Sequence, residues 1–173
     1  HPNVRWLKET ALNVEKGILV DKHLQTNIKN VYAIGDCAQM SEPVEGRRSI
    51  EAVWYTGRMM GETVAYNICG NPIAYDPGIW FNSAKFIDIE YQVYGDVLSK
   101  PQENHVSFYW EHADGEKSVR IVFDKNTDAI LGFNLMGIRF RHEVCEKWIK
   151  DKTPVDKVMA DLRLANLDPE FYT

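Results

Sequence analysis

Apolar and polar positions follow two different rhythms along this chain. From Ser49 to Cys69 the apolar residues Ile50, Val53, Trp54, Val64 and Ile68 recur near multiples of 3.6, which predicts a helix with one apolar face. Gly70 and then Asn71-Pro72 supply its stop, since glycine accepts the left-handed position past a helix and proline cannot continue one. Gly57 and Gly61 sit one turn apart on that same face. A glycine inside a helix costs about 1 kcal/mol against alanine, so the pair predicts close packing against a neighbour. Upstream, Val31 to Ile34 predicts a short buried strand whose carboxyl end delivers Gly35 and Asp36.

After Asn71-Pro72 the period changes. Residues 73–82, with Pro77-Gly78 and Trp80-Phe81, form a connector. Four strands are expected next, over Ala84–Tyr94, Val106–His112, Ser118–Asp124 and Ala129–Leu135. Ile87, Ile89, Tyr91 and Val93 alternate with Asp88, Glu90 and Gln92, the period of a half-buried strand. Asp114-Gly115 marks a hairpin between the second and third strands. The polar run from Asp124 to Asp128 marks a turn between the third and fourth. Glu143, Val144, Trp148 and Ile149 then fall in a helical pattern, and Thr153-Pro154 reads as a helix start with Thr153 as cap. Val158, Met159 and Leu162 give that last helix its apolar face. An antiparallel sheet followed by helices is α+β.

Composition narrows the class. The 173 residues are 45% hydrophobic and 26% charged, a globular balance with room for a sizeable core. A net charge of −5 argues against a nucleic-acid surface, which needs a basic excess. No apolar run is long enough to span a membrane. Cys37, Cys69 and Cys145 are scattered and lack Cys-x-x-Cys spacing, which favours a reducing, cytoplasmic setting.

Candidate chemistry centres on Thr26 to Asp36. In open α/β sheets ligands sit beyond the carboxyl ends of strands. Glycine there admits close approach, and an aspartate after it can accept hydrogen bonds from sugar-alcohol hydroxyls. The run Thr26-x-x-x-x-Val31-Tyr32-Ala33-Ile34-Gly35-Asp36 resembles the second FAD-binding motif of the pyridine nucleotide-disulfide oxidoreductase family. Gly17-Ile18-Leu19-Val20-Asp21, followed by Leu24-Gln25-Thr26, resembles that family's approach to the motif. Thr56-Gly57-Arg58-Met59-Met60-Gly61-Glu62 is similar to a helix of the ferredoxin-reductase-like and apoptosis-inducing-factor-like branches.

The resemblance implies an FAD-dependent NAD(P)H oxidoreductase of which this chain is the carboxyl-terminal portion. Residues 1–72 would be the tail of a Rossmann-like FAD-binding domain, and residues 73–173 an interface domain that dimerises. Asp36 would bind the ribitol of FAD, with Gly35 and Cys37 beside it. The helix amino end near Ile50 would face the flavin carbonyl, and Trp80 would lie by the flavin ring. No Gly-x-Gly-x-x-Gly occurs in the sequence, and the start at His1-Pro2-Asn3 resembles a segment shortly before the returning FAD motif. The isolated chain is therefore expected to be inactive. The alternative is a stand-alone, non-catalytic module for dimerisation or docking.

Other features receive plainer readings. Cys37 reads as a small residue at a tight turn. His142-Glu143 with Glu146 lacks the second histidine of His-Glu-x-x-His, so no metal site is expected. No catalytic residue is assigned, because His142 lacks the proline neighbour of the family's carboxyl-terminal acid-base histidine. Arg139, Arg141, Lys147, Lys150 and Lys152 read as a charged helix face that also suits docking of an acidic electron-transfer protein. Trp80 and Phe81 suit burial in the second domain as well as a place near the flavin.

Overall fold

The computed structural model describes residues 2–44 and 46–167. His1 of the amino-terminal motif lies outside them. The chain divides after Gly78 into two compact units, each with its own core.

In the first unit β1 (Ile18–Val20) pairs in parallel with β2 (Ala38–Met40), in the register Ile18↔Ala38 to Val20↔Met40. Close approach at the start of β1 explains Gly17: a β-carbon there would sit 2.7 Å from the Cys37 carbonyl oxygen and 3.1 Å from Gln39 Cβ. The Gln39 amide oxygen accepts the N–H groups of Lys16 and Gly17, so its burial leaves no acceptor wasted. After β1, Asp21 folds the chain back by accepting the N–H groups of His23 and Gln25. Leu24 follows at φ 63° and is fully buried.

Helix α1 spans Trp54–Ile68. Its end is a Schellman arrangement: Asn71 N–H reaches the Tyr66 carbonyl, Gly70 N–H reaches Asn67, and Gly70 takes φ +82°. Its start corrects the expected helix over Ser49–Cys69. Residues 49–53 lead in without helical structure, because Ser49 lends its carbonyl to Met40 N–H and Val53 sits at φ −136°, ψ 145°. Ile50 therefore lies outside the helix. The buried face is also different from the expected one: Thr56, Met60, Thr63 and Val64 are covered, while Trp54 and Ile68 are exposed.

Val31 to Ile34 is not a strand. A single bridge joins Tyr32 to Gln25, and both Val31 and Ile34 are exposed. No strand lies alongside among the described residues, so the backbone has no ladder to join.

The second unit is a five-stranded antiparallel sheet in the order β3-β4-β7-β6-β5. Its strands are β3 (Phe81–Phe86), β4 (Ile89–Gly95), β5 (His105–Glu111), β6 (Ser118–Asp124) and β7 (Ile130–Met136). The expected single strand Ala84–Tyr94 is two strands joined at Ile87-Asp88. Ile87 takes φ 55° at the tip and is 92% exposed, so its place in the alternation was coincidence. Asp114-Gly115 does turn the β5–β6 hairpin, with Gly115 at φ +74°. Asp124 accepts the N–H groups of Asn126 and Thr127 and so folds the turn before β7.

Helices α2 (His142–Lys150) and α3 (Val155–Ala160) follow. Pro154 itself is the cap of α3, at φ −60°, ψ 144°, and Thr153 lies one residue earlier. Thr153 is engaged elsewhere, its N–H with the Trp148 carbonyl and its carbonyl with Ile130 N–H. The core gathers Tyr94, Ile121, Phe133, Leu135, Cys145 and Val158. The architecture is α+β throughout.

Candidate functional site

Gly35, Asp36 and Cys37 form one turn of 3-10 helix between the Ile34 backbone and β2. Ile34 is extended, at φ −139°, ψ 164°, and Gly35 reverses to φ +71°. That reversal is strained for any residue with a β-carbon, which explains glycine here. An added β-carbon at Gly35 would meet no atom within 4 Å, so the space above the turn is open. Asp36 is exposed, and its carboxylate makes no hydrogen bond or ion pair among the described residues. Cys37 is half-buried, and its thiol donates to the Ile34 carbonyl at 3.5 Å.

Helix α1 seats this turn from below. Gly57 presents its α-carbon face to Gly35, whose Cα would lie 3.5 Å from a Gly57 β-carbon. One turn on, Met60 Sδ accepts the Gly35 N–H at 3.3 Å. A β-carbon at Gly61 would lie 3.8 Å from Ile34 Cδ1. The two glycines thus serve the turn that carries Asp36. A small residue at Gly57, with room for no more than a β-carbon, and a soft sulfur acceptor at Met60 keep the helix close to the backbone of the turn.

Ile50 is brought into the same neighbourhood by another route. Its Cδ1 would lie 3.3 Å from a β-carbon at Gly17, which would also meet the Cys37 carbonyl. Its role as a helix end is corrected, because α1 begins at Trp54. Val53 places no side chain on the first-turn N–H groups, and no acidic residue occupies that turn.

A buried polar cluster missed by the sequence reading anchors the start of α1. Arg47 and Glu51 form a two-pronged ion pair, with Nε to Oε1 at 2.7 Å. The Thr56 hydroxyl donates to Glu51 Oε2 at 3.1 Å. Among the described residues the buried Tyr75 hydroxyl has no hydrogen-bond partner of good geometry, and burial, opposed in part by the neighbouring Thr56 hydroxyl, pushes it up to about 12. The i, i+4 spacing of Arg47 and Glu51 was the only signal, and it reads as an ordinary helix pair until the segment is seen to be non-helical.

The remaining candidates belong to the second unit. Trp80 is half-buried just before β3, and its carbonyl accepts Gly95 N–H at 2.8 Å. His142 opens α2, edge-on to Phe81 at 4.7 Å and 3.8 Å from Glu146. The basic positions are largely matched by acids: Arg139 with Glu90, Lys147 with Asp151, and Lys150 with Glu146. Among the described residues no group of three or more His, Cys, Asp or Glu could hold a metal ion. No helix among them is long and apolar enough to cross a membrane.

The turn can therefore hold a hydroxyl-bearing chain: an open approach over Gly35, and a free carboxylate at Asp36 to accept from it. These features fit the polyol part of a flavin dinucleotide. No glycine-rich phosphate loop accompanies them in the sequence.

Comparison with known proteins finds likenesses among oxidoreductases. The family described as pyridine nucleotide-disulphide oxidoreductase matches residues 1–61, the stretch that contains the turn and the first half of α1. The chain is similar to the assimilatory nitrate reductase electron transfer subunit of Bacillus subtilis (strain 168), at 29% identity over 131 residues, covering 75% of this chain and 16% of that protein. It is also similar to the NADH-rubredoxin oxidoreductase of Clostridium acetobutylicum, at 25% over 146 residues, covering 83% of this chain and 36% of the relative. In fold it resembles a NAD-dependent persulfide reductase from A. fulgidus, with TM-score 0.74 and 20% identity, over 97% of this chain and 34% of that one. The chain thus spans about a sixth to a third of the relatives it matches.

Proposed function

We propose that the chain, whose residues 1–61 match the pyridine nucleotide-disulphide oxidoreductase family, is part of an FAD-dependent NAD(P)H oxidoreductase. Asp36 holds the ribitol of FAD in this reading, and the observation that carries it is the free, exposed carboxylate beside the open left-handed Gly35. Cys37 and Ile50 close the turn from the β2 side, and α1 supplies its floor. The uncapped amino end of α1 at Trp54 favours negative charge on a ligand, as helix dipoles do. When bound, FAD supplies the redox chemistry, accepting a hydride from NAD(P)H and passing electrons onward. The protein's part is to hold and orient it.

In this reading the FAD-binding domain expected over residues 1–72 is the first unit, which runs on to Gly78, and the interface domain expected over residues 73–173 is the second, in a cytoplasmic enzyme. The edge strand β5 supports a homodimer, because Phe108, Tyr109 and Trp110 are exposed along it. An electron-transfer protein is the acceptor suggested by the rubredoxin oxidoreductase relative. No observation favours the stand-alone docking module over this reading.

The test is Asp36→Ala in the complete reductase. Loss of a hydrogen bond to a charged acceptor is worth about 1.5–3 kcal/mol, so FAD affinity by titration calorimetry should fall at least about tenfold. The exposed position means that thermal stability should stay the same. Unchanged FAD affinity would remove the assignment.

A further inference from the structure

The ion pair of Arg47 and Glu51 is enclosed to a degree that its surroundings make unusual. The two side chains are 8% and 6% exposed, against 61% and 62% for the Arg58–Glu62 pair on the same unit. Arg47 is held on two sides: Nε and Nη2 engage Glu51, and Nη1 donates to the carbonyls of Pro77 and Gly78, each at 3.0 Å. Glu51 in turn accepts from the Thr56 hydroxyl at 3.1 Å. Buried ion pairs are often no more stabilising than a well-packed apolar pair, so such a pair is better explained by the geometry it fixes.

Here that geometry leads to the cofactor turn. Thr56 lies in the first turn of α1 and is buried. The next residue, Gly57, has room for no more than a β-carbon before Gly35, and Met60, one turn along α1, accepts the Gly35 N–H. An unbroken series of contacts therefore runs from the Pro77 and Gly78 carbonyls through Arg47, Glu51 and Thr56 to the backbone that carries Asp36. We infer that Arg47 and Glu51 are positioning residues for that turn: they fix the amino end of α1, and α1 fixes the direction in which Asp36 presents its carboxylate. Neither residue touches the ligand. Arg47 is suited to the task because its planar fork makes several directed bonds at once, which a lysine cannot reproduce.

The inference rests on the reading of Asp36 as a ribitol ligand, and the experiment separates the two. In the flavin-loaded complete reductase, Thr56→Val removes one donor while leaving the ion pair intact. Glu51→Gln keeps the shape and removes the charge. FAD dissociation constant, flavin midpoint potential and thermal midpoint are measured for both, with Asp36→Ala and Thr56→Ser in parallel. Thr56→Val and Glu51→Gln are expected to weaken FAD by about three- to tenfold and to shift the potential of what remains bound. Thr56→Ser, which retains the donor, should restore both. If Thr56→Val and Glu51→Gln lower the thermal midpoint but leave FAD affinity and potential unchanged, the pair is structural only and the inference is overturned. If Asp36→Ala also leaves affinity unchanged, the reading of the turn itself has failed. Should Glu51→Gln not fold, Thr56→Val decides alone.

Discussion

Gly57 lies so close to Gly35 that a β-carbon on Gly57 would stand 3.5 Å from the Gly35 α-carbon. This is ordinary van der Waals contact, with no further room beyond it. Gly57→Ala should therefore be tolerated, and the better helix propensity of alanine should add up to about 1 kcal/mol of stability. Gly57→Leu has nowhere to place its branch and should cost about 1–3 kcal/mol. It should also push the turn off its seat and weaken flavin binding. Thermal unfolding and FAD titration on the two variants distinguish these effects. Equal behaviour of Ala and Leu would show that α1 does not seat the turn.

The 173-residue chain alone is expected to purify without colour. Asp36 and its neighbours offer acceptors for hydroxyls, but a pyrophosphate needs backbone N–H groups at a helix amino terminus after a glycine-rich turn. The sequence contains no Gly-x-Gly-x-x-Gly. Absorbance at flavin wavelengths after gel filtration with added FAD is the measurement. A stoichiometric flavin spectrum would contradict the expectation.

The three cysteines should separate by reactivity. Cys69 is exposed at the end of α1, Cys37 is half-buried, and Cys145 is fully buried. Burial, with the nearby Glu143 carboxylate adding to it, holds the Cys145 thiol far above its ordinary range, so almost no thiolate forms there. An aromatic disulfide reagent should label Cys69 fastest, Cys37 more slowly and Cys145 only on unfolding. If the Asp36 turn holds FAD, the flavin-loaded reductase should protect Cys37 while Cys69 labels as before. Equal labelling of Cys37 with and without FAD would place the flavin elsewhere.

The sequence was legible where one residue type has one physical cause. Gly70 ended α1, Asp114-Gly115 turned the β5–β6 hairpin, and the Gly35-Asp36 pair marked the turn now seen beside α1. The α+β class followed from the change of period after Pro72. It was misleading where several forces compete. Ile50 and Val53 kept helical spacing, but the carbonyl of Ser49 was already committed to β2 and held the segment out of α1. Ile87 continued an apolar alternation from the tip of a hairpin. The buried face of α1 contains Thr56 and Thr63, small polar residues that a hydrophobic pattern overlooks. The Arg47–Glu51 cluster depends on Tyr75 and the Pro77 and Gly78 carbonyls, which no local spacing relates to it.

Tyr75 gives the first unit a distinct alkaline limit. Among the described residues its buried hydroxyl has no hydrogen-bond partner of good geometry, and loss of hydration raises it from 10.0 to about 12. Burial is the largest effect; Arg47 and the Thr56 hydroxyl oppose the rise, and Glu51 and Asp76 reinforce it. The folded state therefore holds this proton more tightly than the unfolded chain does. Between those two values the unfolded chain has lost the proton while the folded one retains it, so stability falls as pH rises. The contribution is complete below about pH 10 and lost as pH passes about 12. Tyr75→Phe removes both the titration and the unsatisfied hydroxyl. It should leave stability at neutral pH equal or higher by up to about 1 kcal/mol, since a buried polar atom without a partner carries a desolvation cost. Urea unfolding at pH 8 and at pH 11 checks both parts. The wild-type chain should lose more stability than Tyr75→Phe on going to pH 11. A parallel loss in the two proteins would assign the alkaline limit to other groups.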